Sequence, residues 1–210
     1  MIGALEAARD GLGLTAQEVT IQPVGCLRLC GRGPLLAADH AHGAMDLFGG
    51  VPLELAAELV RQVAPAASPG PSRAPSPQAE GCPLAAHRID PAQPFFALQT
   101  SVVLEGCGRI NPESIEEALA QGAYAQFQRC LLELTPEQVR EQVKCSGLRG
   151  RGGGGYPTGL KWDTVALQPP GPRQVVANGD EGDTGAFMDR TVMEGDPHRL
   201  LEGLAIAAYA

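Results

Sequence analysis

The sequence has little positive charge and no long apolar run. Lysine and arginine together number 16, against 24 aspartates and glutamates, which gives a formal net charge of -8. This balance excludes a broad nucleic-acid binder, because such proteins draw their affinity from clustered basic residues. No segment approaches the roughly 18 apolar residues of a membrane span, and the first residues lack the cationic and apolar pattern of a signal peptide. We therefore expect a cytoplasmic protein with no nucleic-acid partner and no direct membrane insertion.

Cysteines are few for the length of the chain. The six cysteines are spread over 210 residues, which favours reduced thiols or metal ligands over a disulfide framework. Cys26 and Cys30 have the spacing C-x3-C and are candidate metal ligands, although two thiolates cannot complete a four-ligand site. The other four are predicted to be buried thiols: Cys82, Cys107, Cys130 and Cys145.

A stretch rich in proline, serine and alanine divides the sequence. It reads PAASPGPSRAPSPQAEG from Pro65, has no apolar period, and indicates a semi-extended linker. We expect a small domain over residues 1–64, a linker over 65–87, and a larger domain over 88–210.

Local patterns predict the secondary structure of both domains. In the first, Val19 and Ile21 indicate a strand, residues 35–38 and 45–48 a hairpin, and Pro52 the start of a helix. In the second, the predicted elements are helices starting at Asn111, Thr135, Gly159 and Asp196, and a strand at 174–177. The last helix reaches Ala210 without a glycine or a basic last turn, so we expect a truncated domain.

A glycine-rich segment, GLRGRGGGGYPTGLKW at 147–162, is the strongest functional signal. Gly150 and Gly152 belong to a set of five glycines within six positions, so backbone amides can approach an anion closely. Arg151 and Lys161 add positive charge suited to phosphate. The segment predicts a site for a phosphate-bearing cofactor.

Other interpretations fit this segment less well. It satisfies G-x-G-x-x-G at 150, 152 and 155, but it follows a predicted helix rather than a strand, so the dinucleotide-binding context is missing. Lys161 lies between Leu160 and Trp162, which excludes a Walker A motif. An arginine-glycine nucleic-acid segment conflicts with the acidic chain. A plain flexible loop stays open as an alternative.

A second loop, VVANGDEGDTGAFMDR at 175–190, concentrates polar groups after the predicted strand. Asn178, Asp180 and Glu181 are candidate ligand-binding residues, because ligands bind beyond the carboxyl ends of strands in α/β sheets. A solvated acidic loop or a calcium site is the alternative, although the EF-hand order is not met.

The two loops, with SVVLEGCGRINPESIEEAL upstream, closely resemble the flavin-bearing, NADH-oxidising subunit of respiratory complex I. They also resemble the diaphorase subunits of NAD-linked hydrogenases and formate dehydrogenases. The resemblance covers about residues 93–210. It implies an α/β fold in which a partial thioredoxin-like domain and a linker precede the N-terminal part of a Rossmann-like FMN-binding domain.

The resemblance also assigns roles to residues. Gly150, Arg151 and Gly152 match the positions that hold the FMN phosphate, and Lys161 matches one that reaches the flavin nucleotide. The residues matched to the ribityl chain and flavin ring are Asn178, Asp180 and Glu181. Tyr156 stands where family members usually have a phenylalanine, and its ring is expected to stack on incoming NADH. Gly154 stands where the usual residue is alanine.

The segment VGCLRLCGRGPLL resembles the second half of a thioredoxin-like [2Fe-2S] ferredoxin. Cys26 and Cys30 would be two of the cluster ligands. The other pair is expected about thirty residues upstream, and only 25 residues precede Cys26, so the site is expected to be incomplete. The [4Fe-4S] cysteines of the resembled family would lie beyond Ala210.

The resemblance therefore implies hydride transfer from NADH to FMN and onward electron transfer to iron-sulfur clusters. The expected partners are iron-sulfur and other subunits of a multisubunit oxidoreductase. With part of the site missing, the isolated chain is expected to bind FMN weakly and to oxidise little NADH. The alternative is a noncatalytic remnant or assembly module that docks onto partner subunits.

Overall fold

The first unit of the chain combines a small sheet with helices. In this computed structural model, which describes residues 1–27, 33–40, 45–64 and 82–210, the chain divides into units Met1–Gly108 and Arg109–Ala210. The elements of the first unit are α1 (Ile2–Gly11), β1 (Leu35–Asp39), β2 (Met45–Gly49), a 3-10 turn (Leu53–Leu55), α2 (Ala56–Val63), β3 (Arg88–Ile89) and α3 (Pro94–Ala97).

The three strands pair antiparallel in the order β1-β2-β3. In the hairpin, Leu36 lies opposite Phe48, which lies opposite Arg88 on its other side. This confirms the predicted hairpin and the helix after Pro52, while residues 41–44 of its turn lie outside the described residues. Phe48 is 1% exposed and Leu84 is fully buried, and both belong to a core formed with α1 and α2.

The predicted strand at Val19 and Ile21 is wrong. The Thr15 carbonyl accepts hydrogen bonds from the N–H groups of Glu18 and Val19, so this segment turns locally. Val19 is nevertheless buried in the core of the first unit. The alternation therefore identified a buried residue, but not its backbone conformation.

The boundary between the units differs from the predicted one. Cys82 and Leu84 are buried in the first core, and β3 completes the first sheet, so residues 82–89 pack with the first unit and not with a linker or second domain. Residues 65–81 lie outside the described residues. Cys82, Cys107 and Cys130 are buried as predicted, whereas Cys145 is exposed.

The described residues of the second unit form helices. These are α4 (Ile115–Ala120), α5 (Ala125–Glu133), α6 (Pro136–Cys145), α7 (Thr158–Ala166), α8 (Met188–Gly195) and α9 (Pro197–Tyr209). Helix α5 packs on α9, α6 packs on α7, and α8 contacts α9. The chain is thus mixed α/β. No helix in its described part has the length and apolar character needed to cross a membrane.

Helix starts in the second unit follow side-chain capping. The predicted capping box is confirmed: Thr135 accepts from the Gln138 N–H, and the Gln138 side chain accepts from the Thr135 N–H. Asp196 caps α9 as predicted, by accepting from the Arg199 N–H. The cap of α4 is Ser114 rather than Asn111, because the Asn111 side chain accepts from the Glu113 N–H in a local turn.

The predicted strand at 174–177 is wrong. These residues are exposed, and within the described part of the chain their backbone pairs with no strand. The Arg173 side chain holds the start of this segment by donating to the Val165 and Gln168 carbonyls at the end of α7. Residues 174–177 therefore form no strand, because no other strand of the described chain pairs with them.

Candidate functional site

The glycine-rich loop joins α6 to α7 through a narrow neck. Gly147 has φ +68° and ends the α6 turn. The Thr158 N–H then donates to the Leu148 carbonyl at 2.9 Å, and the Gly150 N–H donates to the Tyr156 carbonyl at 2.8 Å. Since its N–H closes the neck, Gly150 shapes the loop rather than offering an amide to a ligand.

The amides inside this loop have no acceptor. Within the described chain, no N–H of residues 151–155 donates a hydrogen bond. Gly153 and Gly155 have φ values of +89° and +59°, a region that disfavours side chains, so glycine suits both positions. A Cβ at Gly154 would meet open space, so the alanine usual in the resembled family also fits here.

Positive charge borders the loop. The first turn of α7 has no side-chain cap, and the N–H groups of Gly159 and Leu160 have no acceptor in the part of the chain that the structure describes. Arg151 and Lys161 are exposed, and neither pairs with an acid among the described residues. Unpaired amides, a helix N-terminus and two available cations together suit a phosphate group.

The three candidate residues of the acidic loop differ in their hydrogen bonds and in their exposure. The Asn178 side chain accepts from the Asp180 N–H at 2.8 Å in a local turn. The Asp180 side chain is exposed and has no partner among the described residues. Glu181 is half-buried, and its carboxylate accepts from the N–H of Asp189 at 3.0 Å and of Arg190 at 3.3 Å. Glu181 thus caps α8.

This capping changes the acidity of Glu181. Burial acts to raise the pKa of Glu181, but backbone hydrogen bonds from Asp189, Arg190 and Met188 outweigh it and leave the pKa below the usual glutamate value. The carboxylate is therefore ionised at neutral pH, where its charge also favours the N-terminus of α8.

Glu181→Gln is expected to destabilise the second unit near neutral pH. Because the folded pKa is lowered, the stabilisation by the charged group is present above the ordinary glutamate pKa of about 4.3 and is lost as pH falls through the folded value. Chemical denaturation of the unaltered protein and the variant, from neutral to acidic pH, measures the difference in their free energies of unfolding. A gap between them that is the same at neutral and acidic pH would contradict the role of the charge.

A concavity of about 380 Å³ lies beside the acidic loop. Gly179, Glu181, Phe187 and Met193 contribute to its lining, and its volume is within the range of small-molecule sites. An added Cβ at Gly179 would lie 2.6 Å from the Met193 sulfur, so this glycine lets the loop approach α8 closely. Sequence reasoning missed Phe187 and Met193, because only the polar residues of this loop were considered.

The glycine-rich loop and the acidic loop do not contact each other through hydrogen bonds or ion pairs of the described residues. Among the described residues, no hydrogen bond or ion pair connects residues 150–161 with residues 178–181. Tyr156 is 57% exposed, so its ring face is accessible. The described residues of the two loops are therefore not linked to each other directly.

The candidate metal ligands belong to the first unit. Cys26 is half-buried, whereas Cys30 lies outside the described residues. Within the described ranges, no group of three or more histidine, cysteine, aspartate or glutamate side chains is placed to hold a metal ion.

Comparison with known proteins finds a family match that includes both loops. Residues 143–210 match the family model described as the Nuo51 FMN-binding domain. The C-terminal part of the chain is therefore similar to this family over residues 143–210. The Nuo51 match begins near the end of α6 and contains the glycine-rich loop, α7, the acidic loop and the last two helices.

Relatives of the same kind are found among curated proteins. The chain is 46% identical over 112 residues to the NADP-reducing hydrogenase subunit HndC of Solidesulfovibrio fructosivorans, covering 53% of this chain and 22% of that protein. It is 50% identical over 91 residues to the F 2 subunit of NADH-quinone oxidoreductase from Rhizobium meliloti, with 43% and 22% covered. The F subunit of the same enzyme from Aquifex aeolicus is 42% identical over 125 residues, with 59% and 29% covered. The chain thus spans less than a third of each of these relatives.

Proposed function

We propose that the second unit is the FMN-binding part of an NADH dehydrogenase flavin subunit. The proposal depends on one observation: among the described residues, the amides of 151–155 have no acceptor, and the nearby Arg151 and Lys161 have no acidic partner. The match of residues 143–210 to an FMN-binding domain supports the choice of anion. When bound, FMN accepts a hydride from a nicotinamide dinucleotide and passes electrons on singly.

The residues present fit a flavin nucleotide. The amides of Arg151 and Gly152, with the Arg151 and Lys161 side chains, would hold the phosphate, while Gly150 keeps the neck of the loop closed. The exposed Tyr156 ring offers a face on which a nicotinamide can stack.

The acidic loop would contact the rest of the nucleotide. Asp180 has no partner for its carboxylate among the described residues, so this group can accept hydrogen bonds from ribityl hydroxyls. The Asn178 oxygen accepts from the Asp180 N–H, which leaves the Asn178 NH2 group to donate to a hydroxyl oxygen. Glu181 caps α8 and lines the concavity. It would contact the flavin ring while it keeps these hydrogen bonds to α8.

The wider assignment extends to both units. We propose that the first unit contains a partial thioredoxin-like domain and that the second unit is the N-terminal part of a Rossmann-like FMN-binding domain. Of the linker predicted over 65–87, residues 82–87 pack with the first unit. Cys26 and Cys30 would be two of the four ligands of a [2Fe-2S] cluster, whose site would be incomplete in this chain. The chain would act in the cytoplasm with iron-sulfur subunits of a complex I, hydrogenase or formate dehydrogenase assembly, where NADH is oxidised.

Titration of the purified full chain with FMN tests the proposal. Saturable binding at one site, followed by flavin fluorescence or absorbance, is expected. Lys161→Ala is expected to weaken binding about fivefold, because an exposed charge-assisted contact to phosphate is lost. Arg129→Ala, which removes an exposed cation of α5, serves as the matched control and should leave the affinity unchanged.

A noncatalytic docking module is the second candidate. Leu132, Leu167 and Val176 are each at least 75% exposed in the second unit, and exposed apolar side chains are a feature of interaction surfaces. A colourless protein whose spectrum and stability do not respond to added FMN would favour this function and overturn the first.

A further inference from the structure

Helices α6 and α7 touch backbone to backbone beside the glycine-rich loop. Gly159 is buried in the first turn of α7. A Cβ added there would lie 2.8 Å from the Lys144 nitrogen and 2.9 Å from the Lys144 Cα. The absence of a side chain at this position therefore lets α7 rest directly on the last turn of α6.

One turn further along α7, Asp163 ties the two helices together. Its Oδ1 accepts from Nε of Arg140 at 3.1 Å, and its Oδ2 lies 2.9 Å from Nζ of Lys144. Arg140 also donates to the Ala210 carbonyl and to Glu137, and Lys144 also pairs with Glu141. A single carboxylate of α7 thus joins two cations of α6.

The charges of this cluster are stable near neutral pH. The hydrogen bond from Lys144 is the main cause that lowers the pKa of Asp163 below its usual range, and burial acts against it. Hydrogen bonds to Glu141 and Asp163 raise the pKa of Lys144 to about 12. The ion pairs are therefore maintained over the pH range in which binding would be measured.

The cluster fixes the rotation of α7 about its axis. An α-helix turns about 100° per residue, so side chains two positions apart lie on nearly opposite faces. With Asp163 held against α6, Lys161 must leave α7 on the far side, where it is exposed. We propose that Asp163 is a positioning residue for FMN: it sets the direction of Lys161 and thereby the recognition of the phosphate.

This inference rests on the proposed function and assigns a partner residue to the same site. Asp163 need not touch the nucleotide. Its contribution reaches the ligand through the orientation of Lys161, so it acts on the phosphate and not on the flavin ring. That distinction makes the proposal testable with two ligands that differ only in the phosphate.

The experiment compares FMN with riboflavin, which lacks the phosphate, in the full chain. In Asp163→Ala, the FMN dissociation constant is expected to rise about twofold to fivefold, no more than in Lys161→Ala, while riboflavin affinity stays unchanged. In the double variant with Lys161→Ala, the loss should be no larger than in Lys161→Ala alone. Asp163→Asn keeps an acceptor for Arg140 and serves if the alanine variant does not fold.

Glu133→Gln is the matched control, because it removes an exposed carboxylate paired with Arg129 in the same unit. The proposal is overturned if Asp163 variants leave FMN affinity unchanged, weaken both ligands equally, or add fully to Lys161→Ala. These outcomes leave the proposed function standing. Absence of FMN binding to the unaltered protein would overturn both.

Discussion

Gly159→Ala is expected to destabilise the second unit by about 1–3 kcal/mol. The added methyl would meet the backbone of Lys144 at 2.8–2.9 Å, and backbone atoms cannot turn aside as the end of a flexible side chain can. Helix α7 would have to move away from α6. Because the glycine-rich loop is anchored on both helices, FMN affinity should fall about tenfold as well. Thermal unfolding and FMN titration measure the two effects.

Gly203→Ala provides the control within the same unit. Gly203 lies inside α9, is exposed, and has open space where a Cβ would be placed. Alanine in a helix interior is favoured over glycine by about 0.5–1 kcal/mol, so this variant should be slightly more stable. If the two variants behaved alike, close contact between α6 and α7 would not be the reason for glycine at position 159.

Phe48→Ala is expected to lower the free energy of unfolding of the first unit by about 3–5 kcal/mol. The side chain is 1% exposed and lies in the core that holds the sheet to α1 and α2. Truncation removes the transfer free energy of the ring and leaves a cavity that the surrounding core fills only in part. A loss of this size is comparable with the total stability of many small domains.

Leu53→Ala is the matched control for this change. Leu53 is 57% exposed and precedes α2 in the same unit, so its truncation should change stability by less than about 0.5 kcal/mol. Urea denaturation followed by circular dichroism measures both variants. Equal, small effects would mean that Phe48 is not part of a well-packed core.

Local signals predicted the elements whose cause is local. The capping box at Thr135 and Gln138 and the cap at Asp196 are formed by side chains that reach only three residues along the chain. Such interactions can be recognised from spacing alone. Asn111 was a reasonable cap by the same argument, but its side chain accepts from the Glu113 N–H in a local turn, and Ser114 caps the helix instead.

Elements that depend on distant partners were predicted less well. Residues 174–177 have the β-branched pattern of a strand, yet no strand lies beside them in the described chain, and a strand requires a neighbour. Helix α5 was missed because its apolar face is completed by α9, about 75 residues later. The place of residues 88 and 89 in the first unit likewise depends on pairing between β2 and β3.

The candidate site shows the same division. The two loops could be identified because their composition carries the signal, and both fall within the matched family region. The cluster of Asp163, Arg140 and Lys144 could not, since Arg140 and Asp163 are 23 residues apart and all three are ordinary in type. One feature of the sequence could have drawn attention to this cluster, since Lys144 and Lys161 are the only lysines in the sequence. The motifs around them, however, suggested a role only for Lys161.

The unpaired amides of residues 151–155 have a practical consequence for detecting a ligand. Since these amides have no acceptor among the described residues, we expect their hydrogens to exchange with solvent deuterium rapidly, and those inside α6 and α7 to be protected by helical hydrogen bonds. A bound phosphate would supply the missing acceptors and slow exchange in this short peptide. Mass spectrometry of deuterium uptake can therefore report occupancy directly, with neither a dye nor a substitution in the chain.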